Sequence, residues 1–116
     1  MRDIEQRTFE FAVRIVKLCQ VLDKTPGVPR TLANQIMRSG TSVGANVEEA
    51  QAGQSKADFI SKMSIATKEA RETLYWLRLL TETDVVAAAK LSDLADEANQ
   101  LVAIMTTIVK KSRNPE

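Results

Sequence analysis

Gln35-Ile-Met-Arg-Ser-Gly-Thr-Ser-Val-Gly-Ala-Asn-Val-Glu-Glu49, within the longer stretch from Arg30 to Gly53, decides the architecture of this chain. Leu32, Ile36, Val43, Val47 and Ala50 recur at helical spacing, so at about 100° per residue they fall on one arc that faces a core. The interior of this predicted helix nevertheless holds Gly40 and Gly44 beside Thr41, Ser42, Val43 and Asn46, and each glycine costs about 1 kcal/mol relative to alanine. Something outside the helix must offset that cost. Two glycines four residues apart, on the side of Ala33, let a neighbouring backbone approach closely. They also fit a kink, or a break at Gly40 with a restart on Ser42 as N-cap. The polar residues Gln35, Arg38, Ser39, Ser42, Asn46 and Glu49 make a second stripe beside the apolar arc rather than opposite it. Part of that stripe is expected where helices or subunits meet, and a solvated face is the alternative.

Upstream, Ile4, Thr8, Phe11, Ile15, Leu18 and Leu22 alternate steps of three and four, the seam of a bundle helix running from about Asp3 to Asp23. Phe9, Ala12, Val13, Val16 and Cys19 widen that seam, and so broad an apolar surface implies contacts on two sides. Thr25-Pro-Gly-Val-Pro29 stops the helix, and Pro29 suits the first turn of the next. Downstream, Gly53 is placed for a left-handed helix end and Ser55 for an N-cap, with Asp58 near the positive end of the dipole. A third helix from about Lys56 to Thr81 turns Phe59, Met63, Ala66, Ala70, Thr73 and Leu77 inward. Ile65, Trp76, Leu79 and Leu80 form a flank to one side, with Glu69 and Glu72 among them. A Trp-containing flank is hard to cover within a small protomer, so Ile65, Trp76 and Leu79 are expected to meet another subunit. On the outward face Lys68 with Glu72, and Arg78 with Glu82, have the spacing of ion pairs.

Thr83-Asp84 reads as a tight turn and N-cap, after which Val85 to about Lys111 forms a fourth helix on Leu91, Leu94, Ala95, Ala98, Leu101, Val102, Met105, Ile108 and Val109. Lys110, Lys111 and Arg113 complement the carbonyl end of its dipole, and Asn114-Pro-Glu116 is expected to fray. Four helices joined by short links give an all-α fold, an antiparallel up-down four-helix bundle in a single domain over residues 1–116.

Composition agrees with that architecture. The 116 residues are 44% hydrophobic and 27% charged, and only 4% aromatic, with 4 Gly and 3 Pro, a balance that suits helices better than sheet. Sixteen basic against fifteen acidic residues leave a charge of +1, so no global field draws phosphate. A nucleic-acid surface would need a local patch, for which Arg7, Arg14, Lys17, Arg71 and Arg78 are the candidates if an oligomer repeats them around a ring. With no histidine and one cysteine, histidine-based triads and zinc sites are excluded, and Cys19 reads as a buried structural thiol. No apolar run approaches about 18 residues and Met1-Arg-Asp-Ile-Glu5 is unlike a signal peptide, so the cytoplasm is the expected compartment.

Carboxylates are the remaining acid or base candidates, and Glu48, Glu49, Glu69 and Glu72 lie near apolar arcs. Ferritin-like bundles bind metal through Glu-x-x-His repeats, and without histidine no metal or other cofactor is expected. A structural use fits better. Arg38 can meet Glu72 on the third helix, or Glu49 nearby, in a buried bidentate pair, with Gln35, Ser42 and Asn46 satisfying the remaining donors and acceptors. Nothing has the form of a phosphate-cradling loop, and no catalytic role is assigned.

Gln35-Ile-Met-Arg38-Ser39, Ser42-Val43, Asn46-Val47 with Glu49, Ser55 through Phe59, Ile65-Ala66 and Glu72, in this order and spacing, resemble the four-helix-bundle family of 23S ribosomal-RNA intervening-sequence proteins, related to accessory proteins of diversity-generating retroelements. The chain departs from the family pattern at Ala50, where glycine is frequent, and at Lys68-Glu69, where a Gly-Ser pair is common. The resemblance covers nearly the whole chain. It implies a closed homopentamer of antiparallel bundles, and association with RNA or a reverse-transcriptase partner, although nucleic-acid-binding members of the accessory branch are strongly basic and this chain is not. The expectation is a non-enzymatic, ring-forming interaction scaffold, with a dedicated RNA- or DNA-binding accessory protein as the alternative.

Overall fold

A computed structural model describes residues 3–114, and they form four helices, α1 (Ile4–Leu22), α2 (Val28–Gln51), α3 (Lys56–Glu82) and α4 (Ala88–Arg113), with no strand among them. The expected fraying of Pro115 and Glu116 lies outside the described residues. Each helix packs on the next in the chain and α4 returns, more sparingly, to α1; the backbones of the two diagonal pairs stay apart across the core. The result is an antiparallel four-helix bundle measuring 48 × 22 × 22 Å. Its continuous core takes Phe11 and Ile15 from α1, Ile36 and Val43 from α2, Met63 and Leu77 from α3, and Leu101 and Met105 from α4. Leu80, assigned by spacing to the α3 flank, is fully buried in that core instead.

The helix ends follow local chemistry. Asp3 caps α1 by accepting from the Gln6 amide at 2.7 Å, and Ser55 caps α3 by accepting from the Asp58 amide at 3.1 Å. Gly27, at φ +92°, turns the chain ahead of Pro29 in the first turn of α2. Two expectations fail here. Gly53 does not take the left-handed conformation; its hydrogen faces the Asp58 Cβ and the Ala50 carbonyl, which an added Cβ would crowd at 3.1 and 3.2 Å. Asp84 is not an N-cap: it takes the left-handed position, φ +59°, after α3. The Asp84 amide reaches the Thr81 carbonyl and the Val85 amide reaches the Leu80 carbonyl, so α3 ends in a Schellman motif with aspartate where glycine is usual. The α4 helix therefore starts at Ala88, three residues later than its spacing suggests.

The α2 helix runs unbroken through Gly40, which excludes the restart at Ser42. Both helical glycines face α1. A Cβ on Gly40 would stand 2.7 Å from Ile15 Cγ2, and one on Gly44 would stand 3.1 Å from the Thr8 backbone oxygen. Close approach is thus what these glycines provide, and the dense packing it permits across the α1–α2 seam offsets their poor helix propensity. Farther along that seam, the Cys19 thiol points to the Ala33 carbonyl at 3.4 Å.

Candidate functional site

The polar stripe of α2 divides into two parts. Arg38 reaches across to α3, where Nη1 lies 3.5 Å from Glu69 Oε1 and Nη2 pairs with Glu72 Oε2. Nη2 also lies 3.4 Å from Gln35 Oε1 on its own helix. Glu72 Oε2 in turn accepts from the Trp76 indole N–H at 3.0 Å. Beneath them, fully buried, Ser39 Oγ and Thr73 Oγ1 are hydrogen-bonded at 2.8 Å, while Thr73 lies 2.8 Å from the Glu69 carbonyl. A hydroxyl has one proton, so Thr73 donates it to the carbonyl and Ser39 donates to Thr73.

Gln35, Arg38, Ser39 and Glu72 lie together, joined by Glu69 and Thr73. The other three stripe residues stay apart. Asn46 donates to the Ser42 carbonyl of its own helix at 2.9 Å, and Glu49 is exposed, too far along α2 to serve Arg38. Two further corrections concern the pair itself. Arg38 is not buried, its side chain being 52% exposed, and its two terminal nitrogens serve two carboxylates rather than one. A guanidinium at the rim avoids the desolvation cost of a buried charge, while its fork bridges Glu69 and Glu72, three residues apart on one face. With Glu72 so engaged, it makes no ion pair with Lys68, and among the described residues Arg78 makes none with Glu82.

This cluster is embedded in an apolar strip. Ile65, Glu69, Glu72, Trp76 and Leu79 follow one another at steps of four and three, which sets them in a line along α3. Ile65 is exposed, Trp76 and Leu79 are half-buried, and the exposed Tyr75 ring stands edge-on to Trp76 with centroids 5.1 Å apart. A second strip lies on α1, where Phe9, Ala12, Val13 and Val16, with Lys17 and Gln20 at its border, line an open depression of about 400 Å³. Phe9 is 57% exposed, and α1 and α3 stand diagonally across the bundle, so the two strips are separate.

A bond that sequence spacing did not reveal holds the sparse α1–α4 side. Arg7 binds Glu97 through two nitrogens, at 2.9 and 2.8 Å, and Gln100 at 2.9 Å. The hydrogen bond to Glu97 pushes the Arg7 guanidinium above its ordinary pKa. Arg7 is thus committed within the protomer. Burial, helped by nearby Asp23, pushes the Cys19 thiol up to about 11, which makes it a poor nucleophile. Among the described residues no three His, Cys, Asp or Glu side chains gather as a metal site requires, and no helix is long and apolar enough to cross a membrane.

Comparison with known proteins agrees with this architecture. Residues 2–107 match the model of a family described as 23S rRNA-intervening sequence protein. A crystal structure of a protein with unknown function from the S23 ribosomal protein family, from Bacteroides thetaiotaomicron, superposes with a TM-score of 0.86 at 40% sequence identity, covering 93% of this chain and 99% of that one. No match was found among curated proteins.

Proposed function

The chain belongs to the family of 23S rRNA-intervening sequence proteins, and on that premise we propose that it is a non-enzymatic scaffold that assembles with copies of itself into a closed ring of five. The observation that carries this reading is the pair of unlike apolar strips, Phe9, Ala12, Val13 and Val16 on α1, and Ile65, Trp76 and Leu79 on α3. Completing the burial of a large apolar side chain is worth about 1.5–3 kcal/mol at most, so several half-covered ones together favour association appreciably. Two different strips on one protomer suit a heterologous contact, strip to unlike strip, and such contacts form rings when their rotation closes. The number five comes from the family resemblance. Arg38 serves assembly indirectly: through Glu72 it fixes the Trp76 indole in one orientation, which spares the ordering cost of that ring at the interface. Glu69 and Glu72 are engaged in holding these side chains, a poor arrangement for exchanging protons with a substrate.

The test is the solution mass of a Phe9→Lys, Val13→Lys double variant. Both positions are exposed, so the protomer should keep its helical circular dichroism while the assembled mass falls. An assembled mass equal to that of the unsubstituted protein would remove the α1 strip from the interface.

A further inference from the structure

On the α4 side of α3, away from the Trp76 strip, lies a recess of about 220 Å³. Ser64, Thr67 and Arg71 line it from α3, and Thr106, Lys110 and Arg113 from α4. Each set is spaced by three, four or seven residues, so each comes from a single helix face.

Two features set this recess apart. First, among the described residues its charge is uncompensated: none of those lining it is acidic, and none of Arg71, Lys110 and Arg113 makes an ion pair with another described residue, whereas Arg7, Arg30 and Arg38 all do. Second, the Ser64 hydroxyl is buried in the wall without a hydrogen-bond partner. Helical hydroxyls in this protein commonly donate to the carbonyl four residues back, as Thr67 does to Met63, Thr81 to Leu77 and Ser112 to Ile108. Ser64 does not, and a buried hydroxyl left alone is unfavourable. One anion with several acceptor oxygens relieves the repulsion among the cations, and rotation of Ser64 about χ1 turns its idle donor toward the anion.

We propose that this recess binds a phosphate dianion, either inorganic phosphate or the terminal group of a phosphomonoester. Three cations and hydroxyl donors around one hollow match a tetrahedral group that presents acceptors in several directions. The volume is below that of pockets that enclose whole drug-sized ligands, so it suits a phosphoryl group with few attached atoms. Among the described residues no aromatic side chain lines the recess to stack a base, which disfavours a nucleic-acid strand. The carbonyl end of α4 carries partial negative charge, so the attraction comes from the side chains.

Calorimetric titration of the full chain at low ionic strength with inorganic phosphate, with glycerol phosphate and with a short single-stranded RNA tests this. One phosphate ligand per protomer is expected, and tighter glycerol phosphate identifies an ester as the ligand whereas tighter inorganic phosphate identifies the free ion. Affinity for the ester should rise between about pH 5 and 7, as its second charge appears near pH 6. Arg71→Met and Lys110→Gln, both at exposed positions, should each weaken binding by about tenfold or more with helicity intact. Ser64→Ala should also weaken binding while leaving the melting temperature without phosphate unchanged or higher, a combination that a purely structural serine would not give. The proposal is overturned if neither phosphate ligand binds at millimolar concentration, if folded Arg71→Met and Lys110→Gln bind as the unsubstituted chain does, or if only the RNA binds.

Discussion

Replacing Gly40 with alanine opposes two effects whose sizes follow from the structure. Alanine in a helix interior is favoured over glycine by about 1 kcal/mol. Here its Cβ would stand 2.7 Å from Ile15 Cγ2, 2.8 Å from Cγ1 and 3.1 Å from Cδ1, against an ordinary carbon–carbon separation of about 3.5–4.0 Å. Ile15 is β-branched and fully buried, so it has neither a free rotamer nor open space to retreat into. Parting α1 from α2 to make room costs about 1–3 kcal/mol, so Gly40→Ala should be destabilising by up to about 2 kcal/mol after the propensity gain. Urea denaturation at one fixed protein concentration measures this, because self-association would make the midpoint concentration-dependent. Ile15→Ala alone should cost about 2–5 kcal/mol. The double variant should lose less than the sum by about 1 kcal/mol or more, since the truncation removes all three clashing carbons. Ile15→Val keeps both γ carbons and should give little such relief. A Gly40→Ala protein more stable than its parent by about 1 kcal/mol would refute the close α1–α2 approach.

Two further outcomes follow from the same geometry. Arg38→Met should retain the helical spectrum, because exposed ion pairs contribute only about 0–1 kcal/mol each, yet lower the assembled mass by freeing Glu72 and with it Trp76; an unchanged mass by light scattering would refute that role. Cys19 should resist alkylation at pH 8 in the folded protein and react readily in denaturant, because its pKa is pushed up to about 11. An unfolded thiol ionises near pH 9 while the folded one keeps its proton to about pH 11, so the stability Cys19 contributes below pH 9 should be lost across that window. At about 1.4 kcal/mol per pH unit the loss is about 2–3 kcal/mol. A Cys19→Ala protein should lack this extra decline, and parallel declines in the two proteins would contradict the assignment.

Much of the bundle was legible because its signals are periodic. The three-and-four alternation through Ile4, Thr8, Phe11 and Ile15 or Met63, Ala66 and Ala70 leaves one buried face for each helix, and in the structure those faces meet. Gly40 and Gly44 fitted a close contact, a kink or a break alike, and helix spacing could neither choose among these nor say which helix approaches; that depends on the packing of α1. The Arg38–Glu72 pairing was legible as a polar stripe beside an apolar arc. Its exposure and its sharing with Glu69 were not, since both depend on how far α2 and α3 are offset along their axes. Asp84 misled because an aspartate after a helix is compatible with both an N-cap and a left-handed helix end, and the carbonyls freed at Leu80 and Thr81 selected the second. The Arg7–Glu97 bond joins residues 90 positions apart, and the recess at Ser64 joins two helix faces; single-helix periodicity carries no signal for either.

If one protomer leaves more apolar surface uncovered than it can tolerate alone, native mass spectrometry of the unsubstituted protein at micromolar concentration should find a single dominant species of five times 12.8 kDa. A dominant 12.8 kDa species that persists as concentration rises would contradict the ring.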